Sequence, residues 1–111
     1  VTLFCRDEAA AEATYGHIST WDTSQVTDMS YLFYSIYYYY SSYYYSCQWF
    51  NEDLPWDTSR VTGMRGMFAG ASSFNGGLTS FDTSSVKDMS FMFYYASSFN
   101  QVICGWDLTG V

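Results

Sequence analysis

Apolar residues recur along this chain at two different periods. Val86, Met89, Met92 and Phe93 are spaced i, i+3, i+6, i+7, as on one stripe of a helix. Val61, Met64, Met67 and Phe68 repeat that spacing, and Val26, Met29, Leu32 and Phe33 repeat it again. Ser or Thr just ahead of each stripe offers an N-cap oxygen. Between the stripes lie short stretches such as Gln101 to Trp106, where apolar positions alternate as in a strand. The pattern therefore predicts one short helix and one short strand per repeat.

The repeat itself is explicit. Related blocks begin at Trp21-Asp22-Thr23-Ser24, Trp56-Asp57-Thr58-Ser59 and Phe81-Asp82-Thr83-Ser84, and a fourth opens at Trp106-Asp107-Leu108-Thr109, with spacings of 35, 25 and 25 residues. Each full block also carries a Phe-Asn pair: Phe50-Asn51, Phe74-Asn75 and Phe99-Asn100. A unit of this size cannot bury its own apolar face, so stacked neighbours must share a core. The expected fold is an α/β repeat solenoid of leucine-rich-repeat-like coils, each a short strand plus a short helix, with a parallel sheet. It forms a single domain over 1–111. A cap over 1–17 precedes coil 1 (18–55, carrying an insertion at 34–49), coil 2 (56–80), coil 3 (81–105) and the start of an incomplete coil 4 (106–111). Arg6 to Thr14, rich in alanine, reads as the cap helix, with Asp7 and Glu8 suited to its start. Asn75 and Asn100 are expected to form an amide ladder at the coil corner.

The phrase Trp-Asp-Thr-Ser-x-Val-x-Asp-Met-Ser-x-Met-Phe, followed by Ala-Ser-Ser-Phe-Asn, resembles the BspA-like surface-protein repeats, also found in mycoplasma lipoproteins. Phe81 to Asn100 is the best copy, and Ala13 to Ile18 resembles the usual entry into a first repeat. The likeness spans nearly all of the chain outside 35–49. The chain departs from it at Gly63 (Asp in the other copies), at Pro55 and in the insertion. The resemblance implies a secreted or cell-surface protein tied to adhesion or without assigned activity, and it carries over no catalytic residue.

Between Phe33 and Phe50 the first coil runs 17 residues where the others run 6, and nine of the twelve tyrosines lie in 31–45. Tyrosine with serine is the composition of binding loops: large rings with few rotamers beside small adaptable polar groups. Tyr34, Tyr37, Tyr38, Tyr39, Tyr40, Tyr43, Tyr44, Tyr45 and Trp49 are therefore candidate contact residues. Trp106 and Val111 are candidates at the other end. There the fourth coil opens without a polar cap, so either the chain continues past Val111 or another molecule covers that end. A second copy stacked head to tail would give a filament.

Net charge narrows the partners. With 11 acidic and 4 basic residues the chain carries −7, which disfavours nucleic acid and anionic lipid. No apolar run is long enough to span a bilayer, and Val1 in place of Met suggests a processed or excerpted chain. Of the three cysteines, Cys5 and Cys47 belong to one end of the stack and form the candidate disulfide. Cys104 lies about three coils away, roughly 15 Å at the ~4.8 Å spacing of stacked strands. Asp22, Asp57, Asp82 and Asp107 share one repeat position and are expected to stack as a ladder satisfied by neighbouring hydroxyls and amides, with calcium bridging as the alternative. His17 lacks a recognisable nucleophile motif, and no Gly-x-Ser-x-Gly, phosphate loop or zinc spacing occurs. The expectation is an extracellular, non-enzymatic protein with no cofactor. Its partners are copies of itself end to end, forming a fibre or surface layer, or a glycan or surface protein held by the tyrosine loop.

Overall fold

The computed structural model describes residues 2–35 and 47–111. The N-terminal segment holds both helices, α1 (Thr2–Arg6) and α2 (Glu8–Tyr15). The alanines of α2 favour helix, and Asp7 starts it by accepting the Ala10 amide at 3.0 Å. Gly16, at φ 77°, ends it and donates to the Glu12 carbonyl at 2.9 Å. A single 3-10 turn follows at Ile18–Thr20.

From there on the described residues form turns, with no strand and no further helix. The only bridges among them are two isolated parallel ones, Asp28 with Gly63 and Gly63 with Asp88. The expected solenoid of strand-plus-helix coils and its parallel sheet is thus overturned. The physical reason lies in the stripe read as helical. Tyr31, Phe91 and Tyr95 have φ near +60°, as do Gly66 and Gly70 at matching places, and a left-handed residue stops an α-helix. Turns of i to i+3 type (Val61 N–H to Thr58 O, Met67 N–H to Met64 O) place the same apolar side chains inward. A spacing of 3, 6 and 7 serves a chain of such turns as well as it serves a helix.

Freed from helical pairing, the amides of this Met-Phe edge bond to the neighbouring repeat. Met29, Tyr31 and Phe33 donate to the carbonyls of Gly63, Arg65 and Met67, each at 2.8 Å. Met64, Gly66, Phe68 and Gly70 donate to Asp88, Ser90, Met92 and Tyr94 at 2.7–2.9 Å. Equivalent residues of successive repeats therefore lie in register, as layers. Along this edge the bonded carbonyls face the first layer and the bonded N–H groups face the last.

The core runs through the layers as two columns of rings. Phe33, Phe68 and Phe93 stack at 5.3 and 5.7 Å, and Phe50, Phe74 and Phe99 stack at 5.6 and 5.8 Å. Within each layer the two rings face each other at 4.0–4.4 Å. Tryptophans extend the order, with Trp21 on Trp56 at 6.3 Å and Trp106 on Phe81 at 6.2 Å. Phe4 of α1 closes the first layer, edge-on to Phe50 and Trp21. The Met29, Phe33 and Phe50 side chains are fully buried, whereas Met89, Phe93 and Phe99 of the last full layer are only partly covered.

Polar groups follow the same register. Thr23, Thr58 and Thr83 each donate to the Asp carbonyl of the next block, Asp57, Asp82 and Asp107, at 2.8–3.0 Å. The Asn75 amide donates to Asn51 Oδ1 and the Asn100 amide to Asn75 Oδ1, both at 2.8 Å, forming a ladder at the Phe-Asn corner.

Candidate contact surface

The Met-Ser-x-Met-Phe turns set one lateral face of the stack. Its central residue is Tyr31, Gly66 or Phe91 in successive layers, all left-handed. In that conformation the Tyr31 and Phe91 side chains are thrown outward and exposed. Each meets a tyrosine three residues on: Tyr31 with Tyr34 at 5.3 Å and 90°, Phe91 with Tyr94 at 5.6 Å and 83°. Tyr95, the most exposed of the set at 72%, lies against Tyr94 at 4.4 Å. Between the two aromatic pairs the middle layer has small residues. A Cβ at Gly66 would meet the Tyr31 ring at 2.5 Å. Arg65 spans the gap, donating to the Tyr31 hydroxyl at 2.9 Å and lying 5.3 Å over the Phe91 ring. That hydroxyl, with Asp88 nearby, raises the affinity of the guanidinium for its proton.

A left-handed backbone costs a non-glycine residue about 1–2 kcal/mol. The middle layer meets the requirement with Gly66 and Gly70. The outer layers hold Tyr31, Phe91 and Tyr95 in that conformation, large rings that recover little by burial. Strain held at exposed aromatic side chains marks a face kept for contact rather than for folding.

The other candidates fall elsewhere. Tyr37, Tyr38, Tyr39, Tyr40, Tyr43, Tyr44 and Tyr45 lie outside the described residues. Tyr34 belongs to the lateral face. Trp49 is at the capped end, against Phe4 at 5.3 Å, with its indole N–H 3.4 Å from the Cys5 carbonyl. Trp106 is half-buried against Phe81 and Phe93, and Val111 is exposed. Cys5 and Cys47 are joined in a disulfide with Cα atoms 4.9 Å apart, tying α1 to the first layer, and Cys104 is a free, exposed thiol. The lateral face was missed as a site. Its signal was the alternation Tyr31, Gly66, Phe91 at one repeat position, which marks a positive φ.

Asp22, Asp57, Asp82 and Asp107 each close a local turn. Their Oδ1 atoms accept the amides of Ser24, Ser59, Ser84 and Thr109 at 3.0 Å. Hydroxyl and amide donation from those residues holds all four carboxyls below the usual range. Asp28 and Asp88 are lowered in the same way by Ser30 and Ser90. Among the described residues no group of three or more His, Cys, Asp or Glu is placed to hold a metal ion. His17 links Ser19 Oγ at 2.7 Å to Glu52 Oε1 at 3.3 Å, the connectivity of a hydrolytic triad. The amides beside Ser19 are already engaged: its own by His17 Nδ1, Thr20's by the His17 carbonyl and Trp21's by the Ile18 carbonyl. No donor pair is left there for an oxyanion. Among the described residues no helix is long and apolar enough to cross a membrane.

No curated protein and no solved structure matches the chain. A family model described as "Mycoplasma protein of unknown function, DUF285" matches residues 4–111. The chain, with its repeated layers and helical cap, belongs to that family of unknown function.

Proposed function

We propose that this chain is a contact module of a BspA-like surface protein, acting outside the cell by adhesion and without catalysis. The observation that carries this reading is the row of exposed rings held in left-handed backbone, Tyr31, Phe91 and Tyr95. Aromatic faces beside one guanidinium on a chain of net charge −7 suit a neutral glycan or a surface protein rather than a polyanion.

The test uses opposite signs. Replacing Tyr31, Phe91 and Tyr95 together by glycine relieves backbone strain and should raise the melting temperature. The same variant should lose binding to a panel of immobilised neutral oligosaccharides and a mucin glycoprotein. A variant that binds as the wild type does would refute the reading. A second reading, end-to-end assembly, is favoured by the in-register bonding of equivalent residues between successive layers.

A further inference from the structure

We infer that the lateral face binds a proline-rich segment of a surface protein, held as a polyproline II helix running along the stack. The inference rests on the contact reading above and names its partner.

The face carries two aromatic notches. Tyr31 with Tyr34 and Phe91 with Tyr94 meet at 90° and 83°, so in each pair one ring stands edge-on to the other. The pairs share one repeat position in the first and third layers, and the middle layer has Gly66 there in place of a ring. The notches therefore lie two layers apart, about 10 Å at the ~4.8 Å spacing of hydrogen-bonded neighbouring chains. A polyproline II helix repeats every three residues, a rise of about 9.3 Å. Prolines three residues apart can thus seat one ring in each notch. Tyr31 stays 48% exposed although its ring lies against Gly66 of the next layer, so the exposure belongs to the side of the stack and not to its end.

Between the notches stands a donor. Arg65 gives Nε–H to the Tyr31 hydroxyl at 2.9 Å and Nη1–H to Ser90 Oγ at 3.2 Å, which leaves the Nη2 hydrogens without a partner among the described residues. Polyproline II makes no internal hydrogen bonds, so its carbonyls are open acceptors. Proline brings no amide hydrogen to desolvate, and its helix is ordered before it binds, so little entropy is lost. A pyranose fits less well. It stacks on a broad open ring face, whereas these rings meet edge-on and the guanidinium covers one face of Phe91 at 5.3 Å.

Charge selects among such segments. Asp88 lies 3.9 Å from Arg65, and Asp28 holds the same repeat position in the first layer. Hydrogen bonds from Ser30 and Ser90 keep both carboxyls ionised. On a chain of net charge −7 they favour prolines flanked by Lys or Arg over prolines flanked by Asp or Glu.

Fluorescence anisotropy with a labelled, Lys-flanked peptide of Pro-Ala-Ala repeats tests this on the whole chain. Shuffling the peptide so that no two prolines stand three apart should weaken binding at least about tenfold, and so should a Tyr31→Gly, Phe91→Gly variant. That variant, relieved of left-handed strain, should melt no lower than the wild type. Arg65→Gln, which leaves the backbone unchanged, should weaken binding severalfold. A Glu-flanked peptide should bind more weakly, the difference shrinking as salt rises. Equal binding of the shuffled peptide, or equal binding by the glycine variant, would overturn the inference. A wild type that ignores the peptide but holds the oligosaccharide and mucin panel would overturn the proline partner and leave the contact face standing. A wild type that holds neither would overturn both.

Discussion

Replacing phenylalanine by alanine at one repeat position in successive layers measures whether the core is continuous. Phe68 is fully buried, lies between Phe33 at 5.3 Å and Phe93 at 5.7 Å, and faces Phe74 at 4.1 Å. Deleting such a ring costs about 3–5 kcal/mol, from lost transfer energy and the cavity left behind. Phe93 has Phe68 on one side and only the Trp106 indole on the other, and its ring is partly exposed already. Phe93→Ala should cost about half as much, roughly 2 kcal/mol, since less area is removed from water. Phe33→Ala should resemble Phe68→Ala, because Phe33 touches Phe50, Trp56 and Phe68 within the covered end. Phe91, two residues from Phe93 but 58% exposed, serves as control, with an expected change within about 0.5 kcal/mol. Urea unfolding followed by far-ultraviolet circular dichroism gives each value from the shifted midpoint at constant slope. A domain of this size holds only about 5–15 kcal/mol in total, so a loss of 4 is easily read. Equal costs at Phe68 and Phe93 would refute the layered core.

Three further outcomes are expected. Thr58→Val removes the hydroxyl that donates to the Asp82 carbonyl at 3.0 Å and accepts the Asp82 amide at 2.8 Å; with both groups orphaned it should cost about 1–3 kcal/mol by chemical unfolding. Gly76→Ala would set a Cβ 2.0 Å from the Glu52 carbonyl oxygen, backbone against backbone, and should lower stability by about 3 kcal/mol, again by urea titration. The six aspartates with lowered folded-state pKa stabilise the protein above the ordinary carboxylate range, and that contribution is lost as pH falls through the folded values. Melting temperature should therefore drop on acidification below about pH 4, and less steeply in a Ser84→Ala, Ser90→Ala variant.

The repeat and its register were legible in the sequence because matched positions must meet a shared core. Val61, Met64, Met67 and Phe68 are all fully buried. What the spacing could not separate was a helix from a chain of turns, since both bring i, i+3 and i+7 to one side. The deciding residues were small and easily passed over: Gly66 and Gly70 in the middle layer, with Tyr31, Phe91 and Tyr95 occupying matching left-handed positions. Read as turn markers, the glycines would have excluded both the helices and the sheet. The lateral aromatic face was hidden for the same reason, because the outward direction of Tyr31 and Phe91 follows from that backbone. The N-terminal helix was plainer, since alanine content and Asp7 act locally and need no tertiary context.

The insertion tests the layered description most severely, because a spacing of 35 residues gives the same register as a spacing of 25. The Phe33 amide reaches Met67 at 2.8 Å and the Ser35 amide reaches Ala69 at 2.8 Å, as Phe68 and Gly70 reach Met92 and Tyr94. Beyond the insertion the Phe50 amide bonds to the Cys47 carbonyl at 3.1 Å, as Phe74 bonds to Ala71 and Phe99 to Ala96. Ser35 and Cys47 thus occupy the places of Gly70 and Ala71, which are adjacent in the chain. Removing 36–46 would leave six steps from Phe33 to Phe50, as from Phe68 to Phe74 and Phe93 to Phe99. With Ser35→Gly to suit the left-handed position of Gly70, the shortened chain should fold, form the Cys5–Cys47 bridge and gain roughly 1 kcal/mol from the shorter closure. Chemical unfolding and a thiol titration check both points. Loss of a cooperative transition in the shortened chain would mean that the extra residues help to set the register of the first layer, and the equivalence of the layers would have to be abandoned.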